Sequence, residues 1–137
     1  MKSDPKSVAT RFYEIINDWS PDRLDEVCSP RLRGHAGAGD DLDQLKASIS
    51  GFIESFPDLR AQPLHLVCEL DTVSAWLTYA GTHRQEFAGV AGSGRTVKFA
   101  AWDLLKIENG KIVEITQYCD LFTIMNQIGA LPTTAPA

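Results

Sequence analysis

The chain has 137 residues, 44% of them apolar, with 13 basic against 18 acidic side chains and a net charge of −5. That length suits one domain whose core needs no metal or disulfide staple. The acidic balance, with Lys and Arg scattered along the chain, excludes a general nucleic-acid binder, which needs a basic face for phosphate.

Asp4-Pro5 is a helix start, with proline at the first helical position where its missing N–H costs nothing. Val8, Phe12, Ile15, Ile16 and Trp19 follow at helical spacing as one buried stripe. Ser20-Pro21 opens a short helix carrying Leu24, Val27 and Cys28, which Ser29-Pro30 ends. An extended piece from Arg31 to His35 leads into a small-residue connection, Ala36 to Gly39. Asp41 and Gln44 form a capping box for a helix that buries Leu42, Leu45, Ile49, Phe52, Ile53 and Phe56 before the turn at Pro57-Asp58.

The period then changes to two. Leu64, Leu66 and Cys68 alternate with more polar neighbours, Glu69 to Thr72 turn the chain, and Val73 to Phe87 reads as a long strand. Ala88 to Gly94 is a glycine-rich loop. Thr96 to Glu108 and Lys111 to Cys119 flank Asn109-Gly110, the strongest short hairpin signal. An unbulged ladder pairs Lys106 with Val113, Leu104 with Ile115 and Trp102 with Gln117, and on the other face Leu105 with Glu114. Leu121 to Ile128 returns to helical spacing, Gly129 is its stop, and Pro132 onward is a frayed tail. Helices followed by a meander give an α+β domain spanning residues 1–137, with a curved antiparallel sheet. The helices cover only one sheet face, and both hairpin faces are apolar, Trp102, Leu104, Val113 and Ile115 lying on one. A homodimer is therefore expected.

Asp120 stands between Tyr118-Cys119 and Leu121-Phe122, where apolar neighbours disfavour a charged carboxylate and raise its pKa towards that of a general base. It is equally a good helix N-cap. His35 and His83 each end a strand just before a loop, which is where pockets form, and either can donate to a carbonyl oxygen. Tyr13 lies off the main helical stripe, with its phenol available to a pocket. Glu114 faces Leu105 and reads equally as a second pocket acid or as an exposed strand-edge residue; Glu114 or Asp103 reaching the same cavity as Asp120 would favour paired-carboxylate epoxide chemistry. Cys28, Cys68 and Cys119 have no close spacing and read as small buried hydrophobes. The three histidines share no metal-binding spacing. Gly89, Gly92 and Gly94 are not followed by a lysine and a helix, so a phosphate loop is excluded. No signal peptide and no membrane-length apolar run is visible, which points to a soluble, cytoplasmic protein.

Thr82-His83, Phe87-x-Gly89 and Ser93-Gly94-Arg95-x-Val97, then Gly110-Lys111-Ile112-Val113-Glu114 and Asp120 with Gln127-x-Gly129, resemble the SnoaL-like polyketide cyclase family. Phe12-Tyr13-Glu14 and Phe56-Pro57-Asp58-Leu59 also fit, so the likeness runs from about Val8 to Leu131. Gln85, Ala91-Gly92 and Thr116 depart from the family's usual residues. The resemblance implies the cone-shaped fold shared with ketosteroid isomerase and nuclear transport factor two, with N-terminal helices and a short C-terminal helix. It also implies a cofactor-free cyclase or isomerase closing a ring in an apolar, polyketide-like carbonyl substrate by aldol addition. The family's catalytic aspartate falls on Asp120, and its pocket histidines fall on His35 and His83, with Tyr13 beside them. Tyr13 also resembles the catalytic tyrosine of ketosteroid isomerases, but Ala100 falls where their hydrogen-bonding acid stands. Alternatives on this scaffold are an epoxide-opening cyclase, a dehydratase, a hydroxylation partner or a non-catalytic carrier of an apolar ligand.

Overall fold

The computed structural model describes residues 4–130; the tail expected from Pro132 onward lies outside the described residues. Helix α1 (Pro5–Asn17) starts at Pro5 and buries Val8, Phe12, Ile15 and Ile16 as its spacing predicts. Trp19 leaves the stripe: its φ is +54°, the residue is 47% exposed, and its indole N–H donates to the Leu59 carbonyl at 2.8 Å. Pro21–Glu26 is a 3₁₀ turn rather than the expected helix. Arg23 clamps it by donating to Glu26 and to Asp18.

Cys28 and Pro30 belong to strand β1 (Cys28–Ala36), which is longer than the piece expected from Arg31 to His35. An edge strand with a register irregularity between Cys28 and Arg33 tolerates the proline there. Helix α2 (Leu42–Ser55) is capped as its sequence indicates: Asp41 accepts from the Gln44 N–H, and the Gln44 side chain accepts from the Asp40 N–H. Strands β2 (Arg60–Glu69), β3 (Thr72–Thr82), β4 (Thr96–Glu108) and β5 (Lys111–Cys119) precede helix α3 (Leu121–Gln127). β3 stops at Thr82 rather than Phe87, because after His83 the Arg84 N–H turns away to the Ser55 carbonyl. Gly92 packs against the Arg84 carbonyl so closely that a Cβ there would clash with its oxygen.

The sheet order is β1-β5-β4-β3-β2, and it stays open, with β1 and β2 at its edges. It is mixed rather than wholly antiparallel, since β1 runs parallel to β5. The hairpin at Asn109-Gly110 pairs Ile107 with Ile112, as expected, and then shifts register so that Lys106 meets Glu114. Val113 is the extra residue of this bulge. Beyond it Leu105 opposes Ile115, Asp103 opposes Gln117 and Trp102 opposes Tyr118, which corrects the unbulged ladder. Leu64 is likewise the extra residue of a bulge in β2 and is exposed, so the alternation expected there holds only from Leu66.

α1, α2 and the inner sheet face enclose the main core, including Phe12, Leu24, Leu45, Leu77, Leu105 and Ile115. A second cluster around Phe56, Leu59, Val97, Phe99, Ile124 and Ile128 joins the end of α2 to α3. On the outer face a row of aromatic rings crosses three strands: Trp76 pairs with Trp102 and Trp102 with Tyr118. Trp76 is 51% exposed and Tyr118 59%, and the Trp102 and Tyr118 rings stack at 6.2 Å. Ile115, expected on this face, points inward because of the bulge, and is fully buried.

Candidate active site

Every odd-numbered residue of β4 from Val97 to Ile107 faces the core. Asp103 is the charged member of that row, only 2% exposed between Ala101 and Leu105. Burial of this kind has a strong price for an ionised carboxylate, and it pushes the Asp103 pKa up to about 7. Two polar neighbours oppose the rise. The Tyr13 hydroxyl, from the buried face of α1, donates to Oδ2 at 2.6 Å, and the Gln117 side chain lies across the ladder from the same carboxyl. The Tyr13 phenol, buried beside this acid, stays protonated, its own pKa driven well up first by desolvation and then by Asp103.

Asp103 lines a cavity of about 80 Å³ between the sheet and the helices. Its walls are mostly apolar, with Ile16, Ile49, Phe52, Leu59 and Phe99 among them, and Tyr79 and Gln117 supply polar groups. The mouth lies where the end of β5 meets the turn after β1 and the middle of α2. There the Ser48 hydroxyl donates to the Gly37 carbonyl, and the Gly37 N–H donates to the Gln117 carbonyl. Tyr118 and Cys119 stand exposed at this rim, so Cys119 is not the buried hydrophobe expected.

The residues singled out from sequence do not all converge. Tyr13 reaches the site through Asp103. Asp120 is exposed and caps α3, accepting from the Thr123 N–H at 3.0 Å and from the Thr123 hydroxyl. Those bonds hold its pKa below the ordinary carboxylate value, which corrects the rise expected from its apolar neighbours. It directly follows Cys119 at the cavity rim but is absent from the lining itself. His35 is exposed on the outer sheet face, paired with Thr116 and 3.7 Å from Glu114. Glu114 shares that face and forms an ion pair with Arg33 at 2.9 Å, because the Val113 bulge turned it outward. His83 is fully buried but sits beside Phe56 rather than in the cavity wall. Its Nδ1 accepts from the Ser93 N–H at 3.1 Å and lies 2.8 Å from the Ser93 hydroxyl, while Nε2 has no partner among the described residues.

The sequence left the face of Asp103 open, since Ala100, Trp102 and Leu104 are apolar at the opposite parity of β4; the signal that points inward is its shared parity with Val97, Phe99, Leu105 and Ile107. Its partnership with Gln117 was not legible, since it depends on the bulge. The acid that meets Tyr13 is at position 103, while Ala100 faces outward and is exposed. No group of three or more metal-ligating side chains forms among the described residues, and no helix there is long and apolar enough to cross a membrane.

The sequence model of the SnoaL-like polyketide cyclase family matches residues 6–128. A search of functionally curated proteins finds no match. Among solved structures, TsrD from Streptomyces laurentii is similar at 26% identity and a TM-score of 0.83, covering 92% of this chain and 95% of that one. IdmH, a candidate polyketide cyclase from Streptomyces antibioticus, has 25% identity and a TM-score of 0.82, covering 93% and 99%. AclR, a candidate hydroxylase from Streptomyces galilaeus, has the same fold, with a TM-score of 0.86 at 23% identity over 93% and 97% of the two chains.

Proposed function

Because the chain belongs to the SnoaL-like polyketide cyclase family, we propose that it is a cofactor-independent cyclase or isomerase that moves a proton on an apolar carbonyl compound, with Asp103 as the acid/base. One observation carries this: a carboxyl poised near neutrality, in an apolar cavity, braced by the Tyr13 hydroxyl at 2.6 Å. A base is most effective when its pKa lies near the working pH, because it then takes and returns a proton with little driving force against it. The ionised Asp103 removes a proton from a carbon between two carbonyls, and the electron pair passes to a carbonyl oxygen as an enolate. The enolate carbon attacks a second carbonyl of the same molecule, and Asp103 returns the proton to the new alkoxide. Apolar walls hold the chain folded for that closure.

Paired-carboxylate epoxide chemistry has less support, since Asp103 is the one acidic side chain among the described residues lining the cavity. IdmH, at similar length, is a candidate polyketide cyclase, in keeping with the ring-closing assignment. The experiment is deuterium uptake at the central carbon of an aryl 1,3-diketone in D₂O, followed by NMR. Acceleration by the protein supports the assignment, and exchange at the buffer rate contradicts it.

Asp120 is the second candidate base, favoured by its place next to Cys119 on the rim and by its match to the family's aspartate. Asn caps a helix about as well as Asp. Asp120→Asn is therefore expected to fold normally and to accelerate exchange within a few-fold of the parent; a loss of about 10²-fold or more would move the base to Asp120.

The aromatic row of Trp76, Trp102 and Tyr118 is assigned to contact with a second copy of the chain, since the helices cover the opposite face. A stable dimer buries roughly 1,200–2,000 Å² or more in total. Sedimentation at micromolar concentration should show a dimer or larger species, shifted towards monomer by Trp76→Glu; a strictly monomeric parent contradicts it.

A further inference from the structure

Tyr79 is a cavity-lining residue whose hydroxyl the fold leaves unused. It lies on the inward face of β3, and its ring stacks flat on Phe99 of β4, with centroids 5.5 Å apart and planes 13° off parallel. Among the described residues its hydroxyl makes no hydrogen bond, and it is not a sealed orphan of the kind His83 Nε2 is. By contrast, the nearby Tyr13 hydroxyl is committed to Asp103. Burial first, and then the carboxylate of Asp103 on the same cavity wall, drive the Tyr79 pKa well above the ordinary phenol value. A phenol in such surroundings keeps its proton. A donor that opens into the cavity without a protein partner is free to bond a ligand oxygen placed there.

We propose that the Tyr79 hydroxyl is the donor that receives the substrate carbonyl oxygen as it becomes an enolate. This rests on Asp103 being the base. When Asp103 takes the proton, the carbon–hydrogen electron pair moves into the new carbon–carbon double bond and the carbonyl pair onto oxygen. Tyr79 keeps its proton and hydrogen-bonds that oxygen throughout. The bond gains strength only as negative charge develops, so it favours the transition state over the bound ketone. A ligand that fits is consequently planar, apolar and bears an acidic or enolisable oxygen at one end. The flat Tyr79–Phe99 pair forms one wall for it.

The probe is 4-nitrophenol, a planar enolate mimic whose binding is read by absorbance. The parent should bind it, and Tyr79→Phe should raise the Kd by about tenfold or more, as loss of one hydrogen bond to a charged oxygen predicts. Phenylalanine keeps the ring and its stacking, so the unfolding midpoint should not move. A parent that binds no nitrophenol, an unchanged Kd in the variant, or a destabilised variant whose hydroxyl was therefore structural would each overturn the proposal. Failure here leaves the base itself to be judged separately, because diketone exchange in Tyr79→Phe would still respond to Asp103 while nitrophenol affinity would not respond to Tyr79.

Discussion

Asp103→Asn is expected to slow diketone exchange by about 10²–10⁴-fold, the usual contribution of a positioned general base. The amide has nearly the same shape, and its oxygen can still accept from Tyr13, so the fold should survive. Stability supplies an independent readout with a definite sign. The folded pKa of Asp103, about 7, lies above that of an unfolded aspartate. Between roughly pH 4 and 7 the folded chain therefore holds a proton that the unfolded chain has lost. The resulting stabilisation is complete at the acid end and disappears as pH rises through about 7, a swing on the order of a few kcal/mol. Urea unfolding across this range should show the parent losing stability relative to Asp103→Asn. Parallel curves, or full exchange activity in the variant, would count against Asp103.

Phe56→Ala should cost about 3–5 kcal/mol, as loss of a fully buried ring does. Phe56 is the hub of the second cluster: its ring lies 5.3 Å from Phe87, 5.8 Å from His83 and 6.3 Å from Phe52. Its Cβ also packs so closely on Gly81 that a side chain there would meet it at 3.0 Å. Truncation thus loosens the end of α2, the end of β3 and the loop bearing Phe87 together. Against a typical total of about 5–15 kcal/mol, the midpoint of denaturation should fall sharply. A loss under about 1 kcal/mol would mean that the cluster collapses to fill the hole.

Locally encoded features were readable in the sequence. The Asp41–Gln44 cap, the Asn109-Gly110 turn and the α1 stripe each depend on residues within a turn or two of one another. The inward place of Asp103, however, was left open, because Ala100, Trp102 and Leu104 make the opposite parity of β4 apolar too, and the buried row of Val97, Phe99, Leu105 and Ile107 shows its parity only in the fold. Along Ile112-Val113-Glu114-Ile115, too, apolar residues occupy both parities, and nothing local says which residue bulges. One extra residue sent Glu114 outward to Arg33 and brought Gln117 beside Asp103. The parallel seating of β1 on β5, which exposes His35, is likewise set by packing between segments far apart in the chain. For Asp120 the cap was legible; the openness of its surroundings was not.

Selective ¹³C labelling of aspartate carboxyls, with Asp103→Asn to assign the resonance, reads the protonation of Asp103 directly. A carboxyl signal that titrates near pH 7, and is missing from the variant, is the predicted result. Titration of Asp103 near pH 4, as in an exposed aspartate, would contradict its role as the poised acid/base of the cavity.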